Sequence, residues 1–151
     1  MTDEAVTLHD KVQDFKSRTE AVDDVARRLH KAGTIENGIE KLFPVKRTAA
    51  STPLFDMERA VILFFGLPSY GVHMNGYVGH GTDMKMWIGE RSHVNPVEPG
   101  KLDQLVAGGQ PAHLSIRENL TKECSEEADI DAVVAARALP VSAITYRMEI
   151  P

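Results

Sequence analysis

Between residues 20 and 31 apolar side chains return at a helical interval. Val22, Val25, Ala26 and Leu29 share one stripe, and Asp23, Asp24, Arg27 and Arg28 lie around it. The spacing predicts an amphipathic helix stopped by Gly33. His30 falls in its last turn, where the helix dipole favours an imidazolium, so a structural role is expected. Residues 1–19 are polar and weakly periodic, with at most a short strand at residues 5–8. Residues 35–42 read as a turn or short helix and residues 48–53 as a linker. Residues 55–65 read as a second helix, in which Met57, Val61, Ile62, Phe64 and Phe65 supply more apolar surface than one stripe needs. A helix apolar on most sides has to be buried, so this one is expected between an N-terminal unit and the sheet that follows.

The period then changes. Val72, Met74 and Val78 alternate with His73, Asn75 and Tyr77, and Met84, Met86 and Ile88 alternate with Lys85 and Trp87. Turn residues at 79–83 predict that these two strands form an antiparallel hairpin. Residues 102–107 predict a strand that delivers Gly108 and Gly109, residues 131–138 a short helix ended by Pro140, and residues 141–148 a final strand. An unpaired edge on that last strand would favour self-association.

From Gly108 to residue 130 the chain reads as a loop feeding a helix over residues 116–128. Ser115 can cap the first amides and Glu118 can reach back to the cap. Ile116, Leu120 and Cys124 form its apolar stripe. Glu123, Glu126 and Glu127 stand at i, i+3 and i+4 and converge on one face, overlapping the apolar side. Three like charges there need a compensating cation, and oxygen-only ligands suit magnesium or manganese better than zinc. The same letters also describe a solvated acidic face. Cys124 lies on the apolar stripe and reads as core, not nucleophile.

Composition narrows the partners. A formal charge of −5 disfavours a general nucleic-acid binder, which needs a basic footprint over phosphates. The longest apolar run, residues 60–67, is too short to cross a bilayer, and the start is acidic and polar. The expected location is therefore cytoplasmic, which a single cysteine fits. Arg91 and Lys101 could approach an anionic substrate, although surface charge is the commoner explanation. His73, His80 and His113 lack ligand spacing and stay unassigned.

Counted from Gly108, Lys122 comes fourteen positions on, followed by Glu123, Cys124, Ser125, Glu126, Glu127, Ala128, Asp129 and Ile130. This resembles the Nudix box, a glycine, five residues, a glutamate, seven residues, then Arg-Glu-apolar-x-Glu-Glu-x-Gly-apolar. Leu114 stands at the first glutamate, Lys122 at the arginine and Asp129 at the closing glycine, while Glu123, Glu126 and Glu127 match. Lysine keeps the charge of arginine without the planar fork that braces two carboxylates. YGVHMNGY at residues 70–77, MKMWIGERS at 84–92 and residues 99–128 look like one Nudix subgroup. Its members carry an N-terminal domain of uncharacterised role and in fungi are joined to thiamine pyrophosphokinase.

The resemblance implies an α+β protein. An N-terminal accessory unit, residues 1–68, would pack on a partial Nudix-type α/β/α sandwich with a mixed sheet, residues 69–151, whose C-terminal part is expected to be missing. It further implies Mg2+ or Mn2+ on Glu123, Glu126 and Glu127, with Glu123 as catalytic base or orienter of the base. Gly108 and Gly109 are expected to let backbone approach a metal-bound phosphate. The implied reaction is hydrolysis of a diphosphate linked to another moiety, a nucleoside diphosphate derivative or damaged thiamine diphosphate. The alternative is a catalytically inactive or truncated Nudix-like binding module, completed by a second copy or another chain at the open sheet edge.

Overall fold

Asp14 accepts the amide of Ser17 at 2.9 Å, and the Ser17 hydroxyl returns to the Asp14 backbone. This capping box starts helix α1, Phe15–Lys31, five residues before the apolar periodicity would place it. Its end is as expected, with Gly33 at φ +70°. The structure, a computed structural model, describes residues 7–35, 41–94 and 98–147. The expected strand at residues 5–8 lies mostly outside these, and residues 7 and 8 are irregular.

After α1 come β1, Leu42–Val45, and β2, Phe55–Glu58, paired antiparallel with Phe43 opposite Met57. Residues 48–53 are therefore the loop of a hairpin and not a linker. β1 occupies the end of the segment read as turn or short helix, most of which lies outside the described residues. The helix expected over residues 55–65 is half strand: β2 gives way at Glu58 to a short α2, Arg59–Phe64. Its placement also differs from expectation. Val61 and Ile62 are buried while Leu63 and Phe64 are exposed, because α2 lies on β1 and β2 and covers one side only. Val22, Ala26, Ile35, Phe43, Val45, Met57, Val61 and Ile62 make the first core. Truncating a fully buried aliphatic such as Ile62 to alanine costs about 2–5 kcal/mol.

The C-terminal core is smaller, with Val106, Cys124 and Ala135 buried among Met74, Leu105, Leu120, Ala128 and Ile130. The strand expected at residues 72–78 is divided at Asn75 into β3, Gly71–Met74, and β4, Gly76–Val78. Likewise the strand at 102–107 becomes β6, Leu102–Gln104, and β7, Val106–Gly109. β3 pairs with β7 as far as Met74 opposite Val106. There the two ribbons fork, and β5, Lys85–Glu90, enters with Trp87 opposite Gly76 and Ile88 opposite Gln104. Gly76 sits in the fork because the Leu105 side chain fills the position a Cβ would take, 2.5 Å away. The predicted β4–β5 hairpin is present, closed by a 3-10 turn at Gly81–Asp83. The α+β class holds, but where a mixed sheet is expected every pairing among the described residues is antiparallel.

Helix α3, Ile116–Ala128, has the predicted bounds and the Ser115–Glu118 capping box. It ends at Asp129 in the left-handed conformation, φ +51°, and the Asp129 and Ile130 amides both donate to the Cys124 carbonyl. The helix expected over 131–138 is the single turn α4, Ala132–Ala135, capped by Asp131. The strand expected at residues 141–148 does not form: residues 141–147 are irregular, with Val141, Ile144 and Tyr146 exposed, and Met148 lies outside the described residues. Alternation alone does not make a strand without a neighbour to complete its hydrogen bonds.

The two cores meet at β1. The Phe43 ring lies 2.7 Å from where a Cβ on Gly109 would stand, and the Ala112 amide donates to the Leu42 carbonyl at 2.9 Å.

Two results are expected from this framework. His30 bridges the Glu58 carboxylate at 2.9 Å and the Ile35 carbonyl at 3.0 Å, and only the imidazolium can donate to both acceptors. The hydrogen bond His30 donates to the Glu58 carboxylate is the main cause that raises the His30 pKa. Its stabilisation is therefore complete below the unfolded-state value of about 6.5 and is lost as pH rises through the folded value. Urea midpoints measured upward from pH 6 should fall more steeply for the wild type than for His30→Gln. Asp129→Gly should raise stability by about 1 kcal/mol in the same assay, because glycine adopts a left-handed conformation without the Cβ penalty.

Candidate functional site

Helix α3 faces strand β7 along one side, and three of its side chains, one per turn, meet three successive strand residues. Asn119 Nδ2 donates to the Gly109 carbonyl at 3.1 Å. The Glu123 side chain lies over Gly108, where an added Cβ would stand 2.4 Å from its Cδ. Glu127 Oε2 accepts the Ala107 amide at 2.8 Å. The acidic tips are thus not fanned into solvent together: Glu123 is 13% exposed, Glu126 57%.

Lys122 lies between two of them. Its ammonium reaches Glu123 Oε1 at 3.1 Å and Glu126 Oε2 at 2.5 Å. Lysine thus braces both carboxylates without the fork of an arginine, by using separate protons of one ammonium. Glu126 is the main reason the Lys122 pKa is raised, and Lys122 in turn holds the Glu126 carboxyl below its usual range.

The sequence-predicted ligands are brought onto one face but not into one cage. Among the described residues no group of three or more His, Cys, Asp or Glu side chains is gathered closely enough to hold a metal. The donor chemistry nevertheless fits a hard divalent ion. Each glutamate engages its protein partner through one oxygen, and the described hydrogen bonds use only Oε1 of Glu123, Oε2 of Glu126 and Oε2 of Glu127. A full ligand set needs these side chains to swing toward a common point.

Gly108 and Gly109, expected to cradle phosphate, have a packing reason in the structure: one seats Glu123 and the other seats Phe43. Arg91 pairs with Asp103 at 2.9 Å and Lys101 with Glu98 at 2.6 Å, so both engage carboxylates of their own hairpin. Leu114 offers its carbonyl to Gln110 Nε2 at 2.6 Å. Burial raises the Cys124 thiol pKa, as does the nearby Glu127 charge, and its sulfur lies 3.7 Å from that of Met74; this is a core residue.

Sequence reasoning missed Asn119 and Gln110, both buried. Their signal is a polar residue on the apolar side of α3: position 119 is wholly enclosed, whereas Ile116, assigned to the stripe, is 71% exposed. The Asn119 oxygen has no hydrogen-bond partner among the described residues.

Comparison with known proteins adds the following. Residues 1–69 match the family model described as a domain of unknown function, DUF4743. Over 141 residues, 93% of its length, the chain is 45% identical to the Arabidopsis thaliana protein named Nudix hydrolase 20, chloroplastic, and covers 38% of it. It is 43% identical over the same share to Nudix hydrolase 24, chloroplastic, of the same plant, covering 39%. An uncharacterised protein of Saccharomyces cerevisiae is 31% identical over 131 residues, of which 38% is covered. The chain spans about two fifths of the length of the curated relatives it matches. Over 93% of its length, the chain is a homologue of part of proteins named Nudix hydrolases.

Proposed function

We infer that this chain carries the acidic helix of a Nudix-type hydrolase, acting on a diphosphate linked to another moiety. The observation that carries the reading is the seating of Glu123 on Gly108 beside Lys122, in a chain so similar to proteins named Nudix hydrolases. The three carboxylates and the Lys122 ammonium together carry a formal charge of −2, the complement of one divalent cation. Glu123, Glu126 and Glu127 would hold Mg2+ or Mn2+, which supplies neutralisation of the diphosphate and acidification of a water.

The chain's own residues do the rest. Glu123, shielded on one side by β7, would orient a water or accept its proton. Lys122 holds the Glu123 carboxylate in one orientation and lowers the repulsion between Glu123 and Glu126. The substrate class proposed is a nucleoside diphosphate derivative or a thiamine diphosphate-like molecule, and the location proposed is cytoplasmic. No helix among the described residues is long and apolar enough to cross a membrane. "Chloroplastic" belongs to the names of the two plant relatives.

A second reading, a catalytically inactive binding or assembly module, is favoured by one observation: the β4–β5–β6 sheet leaves Tyr77, Met86, Trp87, Ile88 and Leu102 exposed. A completing chain or second copy would cover this sheet. Light scattering tests it, and a stable monomer with a cooperative melt removes the need for such a partner.

For the hydrolase, a panel of diphosphate compounds should show release of phosphate or monophosphate that depends on magnesium. Glu123→Gln, Glu126→Gln or Glu127→Gln should each lower turnover by about 10²-fold or more. Turnover unchanged in these variants, or its complete absence in the wild type, rejects the reading. Gly108→Ala separates geometry from stability. The new Cβ meets the Cγ, Cδ and Oε2 of Glu123, a flexible side chain that can turn aside, so the melt should change by less than about 1 kcal/mol while turnover falls about tenfold or more.

A further inference from the structure

Three contacts join α3 to β7, and they differ in stiffness. Glu123 and Glu127 reach the strand through long side chains, which by themselves fix no one spacing between helix and strand. Asn119 is short and 0% exposed, and its carboxamide nitrogen is shared between the Gly109 carbonyl at 3.1 Å and Gln110 Oε1 at 3.4 Å. Gln110 extends the tie, donating through Nε2 to the Leu114 carbonyl at 2.6 Å and the Pro111 carbonyl at 3.2 Å. One amide is thereby fastened to the end of the strand and to the loop that returns to the helix. Its orientation is determined, because a flipped carboxamide would turn its oxygen onto two acceptors.

The enclosed Asn119 oxygen lacks a partner among the described residues, so this side chain is held for the bonds its nitrogen donates. Glu123 follows one helical turn later, over the neighbouring strand residue. We propose that Asn119 is a positioning residue: it sets the register between β7 and α3 and so fixes where the Glu123 carboxylate sits on Gly108. Being wholly enclosed, it acts on the site through Glu123. The positional claim stands on the geometry, whereas its consequence for turnover rests on the hydrolase reading.

Amide hydrogen exchange on the full chain tests the claim without requiring activity. In Asn119→Ala the Ala107 amide, which bonds to Glu127, should lose about tenfold more protection than the global stability change accounts for. Leu120→Ala, a packing control on the same helix, should lower both together. Equal losses in Asn119→Ala overturn the proposal. Should that variant not fold, the wild type still decides. The Asn119 side-chain amide protons should exchange about tenfold or more slowly than those of the exposed Asn75, and equal rates overturn the proposal. Where the wild type hydrolyses a diphosphate, Asn119→Ala should lower kcat by about tenfold with KM nearly unchanged. Wild-type inactivity would remove the hydrolase reading and leave the exchange result to judge the register.

Discussion

The seam between α3 and β7 is the constraint on which the candidate site depends. A glutamate carboxylate can lie directly on a strand only where that strand carries no side chain. Gly108 provides that place, and an added Cβ would stand 2.4 Å from the Glu123 Cδ. Neighbouring contacts keep the seam closed: Glu127 holds the Ala107 amide, Asn119 holds the Gly109 carbonyl, and Cys124 packs beneath at 0% exposure. The acidic face is thus seated against the backbone of β7.

Around that seam the two cores are joined economically. β1 of the first core places Phe43 on Gly109, the residue after the one that seats Glu123. Adjacent glycines therefore serve opposite sides of β7, one accepting the acidic helix and one the N-terminal unit. The charge pattern fits the same arrangement. Lys122 reaches both Glu123 and Glu126 and partly offsets their repulsion.

The departures from the Nudix box have separate physical readings. Asp129, at the position of the closing glycine, still adopts φ +51°, so the backbone requirement is met by a less suited residue. Lys122 replaces a planar fork with an ammonium whose protons reach two partners. Leu114 contributes its carbonyl to Gln110, a bond that any residue there could provide.

Helix α3 was legible in the sequence because its determinants are local: a Ser115–Glu118 capping box and apolar positions one turn apart. The β4–β5 hairpin was legible for the same reason, through alternation and turn residues. What required the tertiary structure was every feature that depends on a distant partner. Residues 55–58 became strand because β1 was there to pair with them, against a helical apolar pattern. Residues 141–147 stayed irregular, without a neighbouring strand among the described residues, despite a strand-like one. The meaning of Gly108, the burial of Asn119 and the choice of Lys122 as partner to two glutamates were likewise decided in space. Sequence encodes which groups are available and how they repeat along the chain; packing decides which of them meet, since a hydrogen bond or a close approach is a property of two segments at once.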